Sequence, residues 1–274
     1  MTNTITTDVL DVPGAHLYYE VRGSGPLAVL VAAPMDARSF APLADLLATD
    51  HTVLTTDPRG INRSSVDDRG ADSTPELRAD DLARLITHLD VGKADVLGSS
   101  GGAVSVLALA QAHPELVRTV VAHEPPLQAI LDDHAELAAQ TEDMISTYLS
   151  GDIRGAWRTF FDMADMHVPE PVFEQMVSAE RDAQAVADDD FQYTRMIRPT
   201  TRWMPDVERL RTIDARVLIG IGDDSAGNFC DRSARALTAL LGTEPTMFGG
   251  GHIAFVDDPA TFAARLRAVL SETC

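Results

Sequence analysis

A mostly parallel sheet with helices on both faces, an α/β fold, is predicted by two observations on this chain of 274 residues. Apolar segments of strand length alternate with segments of helical periodicity, which is the pattern of α/β proteins. The apolar segments, such as Leu27–Ala33, are continuous rather than alternating, as expected for strands buried on both faces of a parallel sheet. We therefore expect an eight-stranded sheet flanked by helices.

The predicted elements begin with a hairpin, because Pro13-Gly14 separates two strand-like segments. Thr74 and Pro75 open a later helix as its N-cap and first residue. The eight expected strands are Thr4–Val12, His16–Val21, Leu27–Ala33, Thr52–Thr56, Ala94–Leu97, Val117–His123, Arg216–Ile221 and Thr246–Phe248. The other core helices are expected over Phe40–Ala48, Ala103–Ala110, Arg232–Leu241 and Ala260–Leu270.

The alternation is interrupted by a long helical region after the sixth strand. Residues 127–210 are rich in acidic, methionine and aromatic side chains. We expect this region to form a lid over the carboxyl edge of the sheet, where ligand sites lie in such folds. A passive packing or dimerisation element is the alternative. The core domain is then formed by residues 1–126 together with residues 211–274.

Composition and charge restrict the classes of partner. The chain has 42 acidic and 22 basic residues and a formal net charge of −20, which argues against nucleic acid or an anionic membrane surface. Self-repulsion that favours solubility explains most of this charge, so a charged substrate is not implied. The two cysteines, Cys230 and Cys274, form neither a disulfide framework nor a metal site. Because no signal peptide or membrane-spanning run is visible, we expect a cytoplasmic protein.

The segment Gly98–Gly102 has the pattern G-x-S-x-G between a predicted strand and a predicted helix. In this context the pattern indicates a nucleophile elbow, a tight turn that holds a serine in a strained conformation with its hydroxyl exposed. Glycine is favoured at the flanking positions because side chains there would collide with the neighbouring strand and helix. Ser100 is therefore the candidate nucleophile.

A serine hydroxyl needs a base to remove its proton, and His252 is the candidate base. The usual order in folds with this elbow is serine, acid, histidine, and His252 lies after Gly249–Gly251 between the last strand and the last helix. Such a glycine-rich loop can bring an imidazole over the edge of the sheet. The other histidines lie before the elbow, near helix ends or in the lid, except His123, whose strand neighbour Glu124 points to the opposite face.

Two positions can supply the acid that orients His252. Glu124 ends the sixth strand at the carboxyl edge, and Pro125-Pro126 fix the direction of the backbone after it. Asp224 follows the seventh strand and is the alternative, although Asp223-Asp224 can also be a simple turn. We prefer Glu124 and keep Asp224 open.

The oxyanion hole is expected to use two backbone N–H groups. The N–H of Gly101, directly after the nucleophile, is the first. The second is expected from the loop after the third strand, which reads Ala33-Pro34-Met35. Since Pro34 has no N–H, Met35 is the candidate.

These motifs identify a resemblance to the α/β-hydrolases over nearly the whole chain. It rests on Gly98–Gly102, on the loop Asp57–Ser64 after the fourth strand and on Gly250-Gly251-His252. Two features depart from the common pattern. Ala33-Pro34 replaces the usual His-Gly pair, and Ser225, the third residue after Gly222, stands where the usual Gly-x-x-Asp pattern has its acid.

Both departures indicate a narrower group, the zearalenone lactonases. Glu124 after the sixth strand is similar to the glutamate that these enzymes have at that place. Tyr18-Tyr19-Glu20, Ser99-Ser100 and Arg63-Ser64 are similar as well. The resemblance implies a triad of Ser100, Glu124 and His252, no metal or organic cofactor, and a lid tryptophan that contacts the macrolactone. Trp203 is the candidate for that tryptophan.

The leading hypothesis is hydrolysis of a carboxylic ester, above all the macrolactone of resorcylic lactones such as zearalenone. In the enzymes that the chain resembles, the ring-opened acid then loses carbon dioxide. The alternatives are a carboxylesterase or C–C bond hydrolase with another substrate, and a ligand-binding receptor that kept the fold. The expected partner is a small molecule, and a homo-oligomer is compatible with the sequence.

Overall fold

The computed structural model describes residues 4–164, 166–178 and 180–272, and one β-sheet forms its centre. The strands are β1 (Thr6–Val12), β2 (Ala15–Gly23), β3 (Leu27–Ala33), β4 (Thr52–Thr56), β5 (Ser65–Val66), β6 (Ala94–Ser100), β7 (Val117–His123), β8 (Arg216–Gly222) and β9 (Thr246–Phe248). Their order in the sheet is β1-β2-β4-β3-β6-β7-β8-β9, and β5 pairs with β2 outside this order. Strands β4, β3 and β6 to β9 are parallel, whereas β1 and β2 are antiparallel to their neighbours. The predicted mostly parallel sheet is confirmed, and the sixth predicted strand is β7 because the short β5 adds one.

Helices cover both faces of the sheet. The α-helices of the described residues are α1 (Ala41–Leu47), α2 (Pro75–Leu89), α3 (Gly101–Ala112), α4 (His134–Leu149), α5 (Ile153–Ala164), α6 (Glu170–Val177), α7 (Ala183–Phe191), α8 (Ile197–Thr201), α9 (Val207–Thr212), α10 (Phe229–Leu241), α11 (Ala254–Asp257) and α12 (Pro259–Ser271). One apolar core lies between the sheet and α2, α3 and α10. The second lies between the sheet and α1, α11 and α12. This two-sided burial explains why the central strands are apolar without alternation.

The helices after β7 form a unit with an apolar cluster of its own. The cluster is aromatic and methionine-rich, and its buried members include Met144, Tyr148, Trp157, Phe161 and Tyr193. Trp203 and Leu210, by contrast, pack in the core between the sheet and its helices. Leu127 packs there as well, so the part of residues 127–210 that has a separate core excludes both ends of this region. One turn in it, Gln192–Met196, is π-helical.

No helix in the described part of the chain is both long enough and apolar enough to cross a bilayer. Of the two cysteines, Cys230 is buried with a free thiol, and Cys274 lies outside the described residues.

Close backbone contacts surround the turn between β6 and α3. A Cβ atom added to Gly98 would lie 2.3 Å from the carbonyl oxygen of Gly102, and one added to Gly102 would lie 2.3 Å from that of Val31. Only glycine permits this approach of strand, turn and helix. The two glycines thus allow the first turn of α3 to begin directly at the sheet edge.

We predict that Gly102→Ala lowers stability, because its methyl group would have to displace backbone rather than a flexible side chain. The expected loss in the free energy of unfolding is about 1–3 kcal/mol or more, as for overpacked cores. Gly249→Ala is the matched control, since its Cβ would lie 3.6 Å from Thr261 Cγ2, an ordinary contact. Thermal unfolding checks this, and equal melting temperatures for the two variants would contradict it.

Candidate active site

Ser100 lies at the end of β6 and directly precedes the first turn of α3. Its φ of 54° and ψ of −125° are strained for a residue with a side chain, and its side chain is partly exposed. The preceding Ser99 points the other way, with its hydroxyl 3.3 Å from His123 Nδ1. This geometry is that of a nucleophile elbow.

Glu124 and His252 form a buried hydrogen bond at the carboxyl edge of the sheet. His252 Nδ1 lies 2.6 Å from Glu124 Oε2. The other carboxylate oxygen, Glu124 Oε1, accepts a hydrogen bond of 2.9 Å from the backbone N–H of Gly222. Glu124 is completely buried and His252 is 5% exposed. Both carboxylate oxygens therefore have partners, as a buried charge requires.

The backbone of Glu124 is also unusual, with a φ of 50°. Its N–H donates to the carbonyl of Gly220 on the neighbouring β8 at 3.0 Å. The chain then turns through Pro125-Pro126 into the helical region. A non-glycine residue in the left-handed region carries strain, which is a feature of functional sites.

The pKa values in this pair move apart. Burial by itself raises the pKa of Glu124, but the hydrogen bond with His252, the nearby imidazoles and the Ser225 hydroxyl together outweigh burial and lower the pKa to about 2. Burial lowers the pKa of His252, whereas the Cys230 sulfur and the Glu124 carboxylate raise it, and the net shift is upward. Glu124 acts on His252 through both its hydrogen bond and its charge. The carboxylate thus favours the imidazolium form.

Asp224, the alternative acid, lies in the turn after β8. Its side chain is exposed, and its backbone N–H donates to the carbonyl of Gly250 at 3.0 Å. No hydrogen bond joins its carboxylate to His252. The buried residue of this turn is Ser225, whose hydroxyl contributes to the low pKa of Glu124. Of the two candidate acids, only Glu124 contacts His252.

His123, the histidine directly before Glu124, is completely buried and has a different environment from His252. Its ring packs edge-on against Phe248 and Phe262. Burial lowers the pKa of His123 to about 4, so it is neutral over the ordinary pH range. It belongs to the core rather than to the site.

Gly101 and the loop that contains Met35 lie side by side. A Cβ atom added to Gly101 would lie 2.6 Å from the carbonyl oxygen of Ala33. Asp57 accepts a hydrogen bond of 2.9 Å from the N–H of Ala37, and this contact holds the end of the Met35 loop. The loop after β4 that carries Asp57 therefore supports the position of Met35.

Two cavities meet at Ser100. The narrow cavity, of about 70 Å³, is lined by Ser100 and Gly101 and by helical side chains such as Gln128, Met144 and Gln192. The wide cleft, of about 320 Å³, is lined by Ser100, His252 and Met35 and by helical side chains such as Phe160 and Met176. The serine thus stands between two spaces covered by the helices after β7.

The two tryptophans have different surroundings. Trp203 donates its indole N–H to Glu76 Oε1 at 2.8 Å and packs in the core, and it lines neither cavity. The predicted contact of Trp203 with substrate is therefore corrected, because α2 and the core occupy this side chain. Trp157 lines the wide cleft instead. The spacing of Trp157, Phe160 and Phe161 on one helix could have indicated this apolar face.

A family model described as "Alpha/beta hydrolase family" matches residues 24–265. The chain is 32% identical to an uncharacterized hydrolase, YraK, of Bacillus subtilis, over 98% of this chain and 97% of that protein. It is 26% identical to a zearalenone hydrolase of Bionectria ochroleuca, over 94% of this chain and 95% of that protein.

Solved structures agree on the fold. An esterase from Exiguobacterium antarcticum superposes with a TM-score of 0.73 at 20% identity, covering 97% of this chain and 99% of that one. An alpha/beta hydrolase from a Medee basin deep-sea metagenome library has a TM-score of 0.76 at 16% identity, covering 97% of this chain and 98% of that one. From its fold, its elbow and the family match, the chain belongs to the alpha/beta hydrolase family.

Proposed function

We propose that Ser100, Glu124 and His252 act as a catalytic triad that hydrolyses a carboxylic ester. The observation that carries this proposal is the 2.6 Å hydrogen bond between His252 and Glu124 beside a serine in elbow geometry. A carboxylate on Nδ1 orients the imidazole and leaves Nε2 as the nitrogen that takes the serine proton, which is the role of the acid in such triads.

The reaction follows from these positions. Ser100 Oγ attacks the ester carbonyl, its proton passes to His252 Nε2, and Glu124 stabilises the resulting imidazolium. The backbone N–H groups of Gly101 and Met35 donate to the oxyanion. His252 then protonates the leaving alkoxide, and a water activated by the same imidazole releases the acid from Ser100.

For the substrate, we propose a resorcylic macrolactone of the zearalenone type. The support is the similarity to a zearalenone hydrolase along 94% of the chain, together with a wide cleft lined by apolar side chains such as Trp157, Phe160 and Val172. In a lactone the leaving alcohol stays tethered to the acyl-enzyme. Water must therefore attack before the alcohol closes the ring again.

Incubation with zearalenone tests this substrate directly. We expect chromatography to show loss of the lactone with the wild-type protein and none with Ser100→Ala. If the lactone peak is unchanged with the wild-type protein, the macrolactone substrate is excluded. Hydrolysis of a simple para-nitrophenyl ester by the same sample would then show whether the serine hydrolase remains.

Separate substitution of each candidate acid tests the proposed triad. We predict that Glu124→Gln lowers kcat for ester hydrolysis about 10³–10⁴-fold, because an amide cannot stabilise the imidazolium as a carboxylate does. Asp224→Asn, the matched control on an exposed side chain, should change kcat less than about twofold. The reverse ranking in steady-state kinetics would assign the acid to Asp224.

The upward shift in the pKa of His252 predicts the pH dependence. The general base must be neutral, so kcat/KM should rise with pH through an apparent pKa above the ordinary histidine value of about 6.5. Glu124→Gln removes the charge that favours the imidazolium. The residual kcat/KM of this variant should therefore still increase with pH, but with a lower apparent pKa than in the wild-type protein. Profiles measured for both proteins check this, and an unshifted limb in the variant would contradict it.

A further inference from the structure

The loop that carries Met35 has open space on two sides. Pro34 and Met35 line the wide cleft beside Ser100, and the same two residues line an outer groove of about 460 Å³. A segment between two open spaces has fewer packing contacts than a buried segment, so its position depends more on hydrogen bonds. An N–H group stabilises an oxyanion well only where its position is fixed before the reaction.

Asn62, in the loop after β4, bonds to the residue that follows Met35. Its amide nitrogen Nδ2 lies 2.9 Å from Asp36 Oδ2 and 3.1 Å from Asp57 Oδ2. This nitrogen carries two hydrogens, and an ionised carboxylate only accepts, so Asn62 can donate one hydrogen to each acid. The amide therefore joins Asp36 to Asp57, the buried carboxylate that already holds the N–H of Ala37.

The remaining hydrogen bonds of the Asp36 carboxylate come from its own segment. Oδ1 accepts from the backbone N–H of Arg38 at 2.9 Å, and Oδ2 accepts from Arg38 Nε at 2.8 Å. Arg38 is exposed and only two residues away, so these bonds shape the turn without connecting it to the rest of the molecule. Asn62 is the partner that connects Asp36 to a distant part of the chain.

The backbone of Asn62 makes a further contact, with the helical region that covers Ser100. Its φ of 50° lies in the left-handed region, which asparagine adopts more readily than most residues. Its N–H donates to Asp188 Oδ1 on α7 at 2.9 Å. Burial raises the pKa of Asp188, and the nearby charge of Asp36 adds to this increase. Asn62 thus lies between two carboxylates that repel each other and donates to both.

We propose that Asn62 is a positioning residue for ester hydrolysis, which holds the Met35 N–H in the oxyanion hole through Asp36. This inference rests on the proposed esterase mechanism and deepens it, because it names what fixes one of the two oxyanion donors. A displaced donor weakens the transition state, where the oxyanion forms, more than it weakens the bound ester. Loss of the Asn62 amide should therefore lower kcat and leave KM nearly unchanged.

Asn62→Gly tests this role, because glycine accepts the left-handed backbone and keeps the N–H that donates to Asp188. We expect kcat for para-nitrophenyl butyrate to fall about tenfold, which is part of the loss of about 10²–10³-fold when an oxyanion donor is removed outright. The inhibition constant of phenylboronic acid should rise by a similar factor. This compound bonds to the serine as a tetrahedral adduct, so it depends on the same donors as the transition state.

Asp90→Gly is the matched control, because Asp90 has nearly the same φ, 51°, and is exposed at the end of α2. It should change kcat and the inhibition constant less than about twofold. Asp36→Ala should lower kcat as Asn62→Gly does, and the double variant should be no slower than Asp36→Ala alone, since both substitutions break one hydrogen bond. Losses that multiply in the double variant would contradict an action of Asn62 through Asp36.

The inhibition constant separates a displaced donor from partial misfolding. A misfolded fraction lowers the measured kcat but leaves the inhibition constant of the folded molecules unchanged. An unchanged inhibition constant in Asn62→Gly would therefore overturn the positioning role, whatever happens to kcat, while the esterase remains. If the wild-type protein hydrolyses no para-nitrophenyl ester, the proposed function and the role of Asn62 both fail.

Discussion

The hydrogen bond between His252 and Glu124 joins residues 128 positions apart and connects the last loop of the chain with the end of β7. Because this hydrogen bond is buried, the Glu124 carboxylate can stay ionised only if both of its oxygens have partners. The backbone N–H of Gly222 provides the second partner and brings the end of β8 to the same point. Three segments that follow three different strands thus converge on one carboxylate at the sheet edge.

The remainder of the site is arranged around this point. β6 lies between β3 and β7. Ser100, the last residue of β6, is therefore next to both the loop that contains Met35 and the end of β7, which Glu124 follows. The helical region that begins after Pro125-Pro126 covers the serine and leaves two spaces of different size beside it. His252 lines the wide cleft and not the narrow cavity.

Much of the fold could be predicted from the sequence because its signals are local. Continuous apolar runs mark the buried strands, and Gly98–Gly102 encodes its own turn through backbone contacts that exclude side chains. The contact of Glu124 with His252 was predictable only as a preference, because two carboxylates follow neighbouring strands and nothing local shows which one points inward. The structure distinguishes them by burial: Glu124 is enclosed, whereas Asp224 is exposed.

The helical region was the least predictable part, because side-chain destinations there depend on packing between helices. Trp203 and Trp157 are both aromatic residues in helical sequence, yet one packs on α2 and the other lines the wide cleft.

The rate at which a fluorophosphonate probe labels Ser100, followed by mass spectrometry, tests the activation of this serine by His252 and Glu124 most directly. We predict stoichiometric labelling of the wild-type protein at Ser100, with a labelling rate that falls by orders of magnitude in Glu124→Gln and stays the same in Asp224→Asn. Labelling at another residue, or equal rates in the wild-type protein and Glu124→Gln, would contradict it.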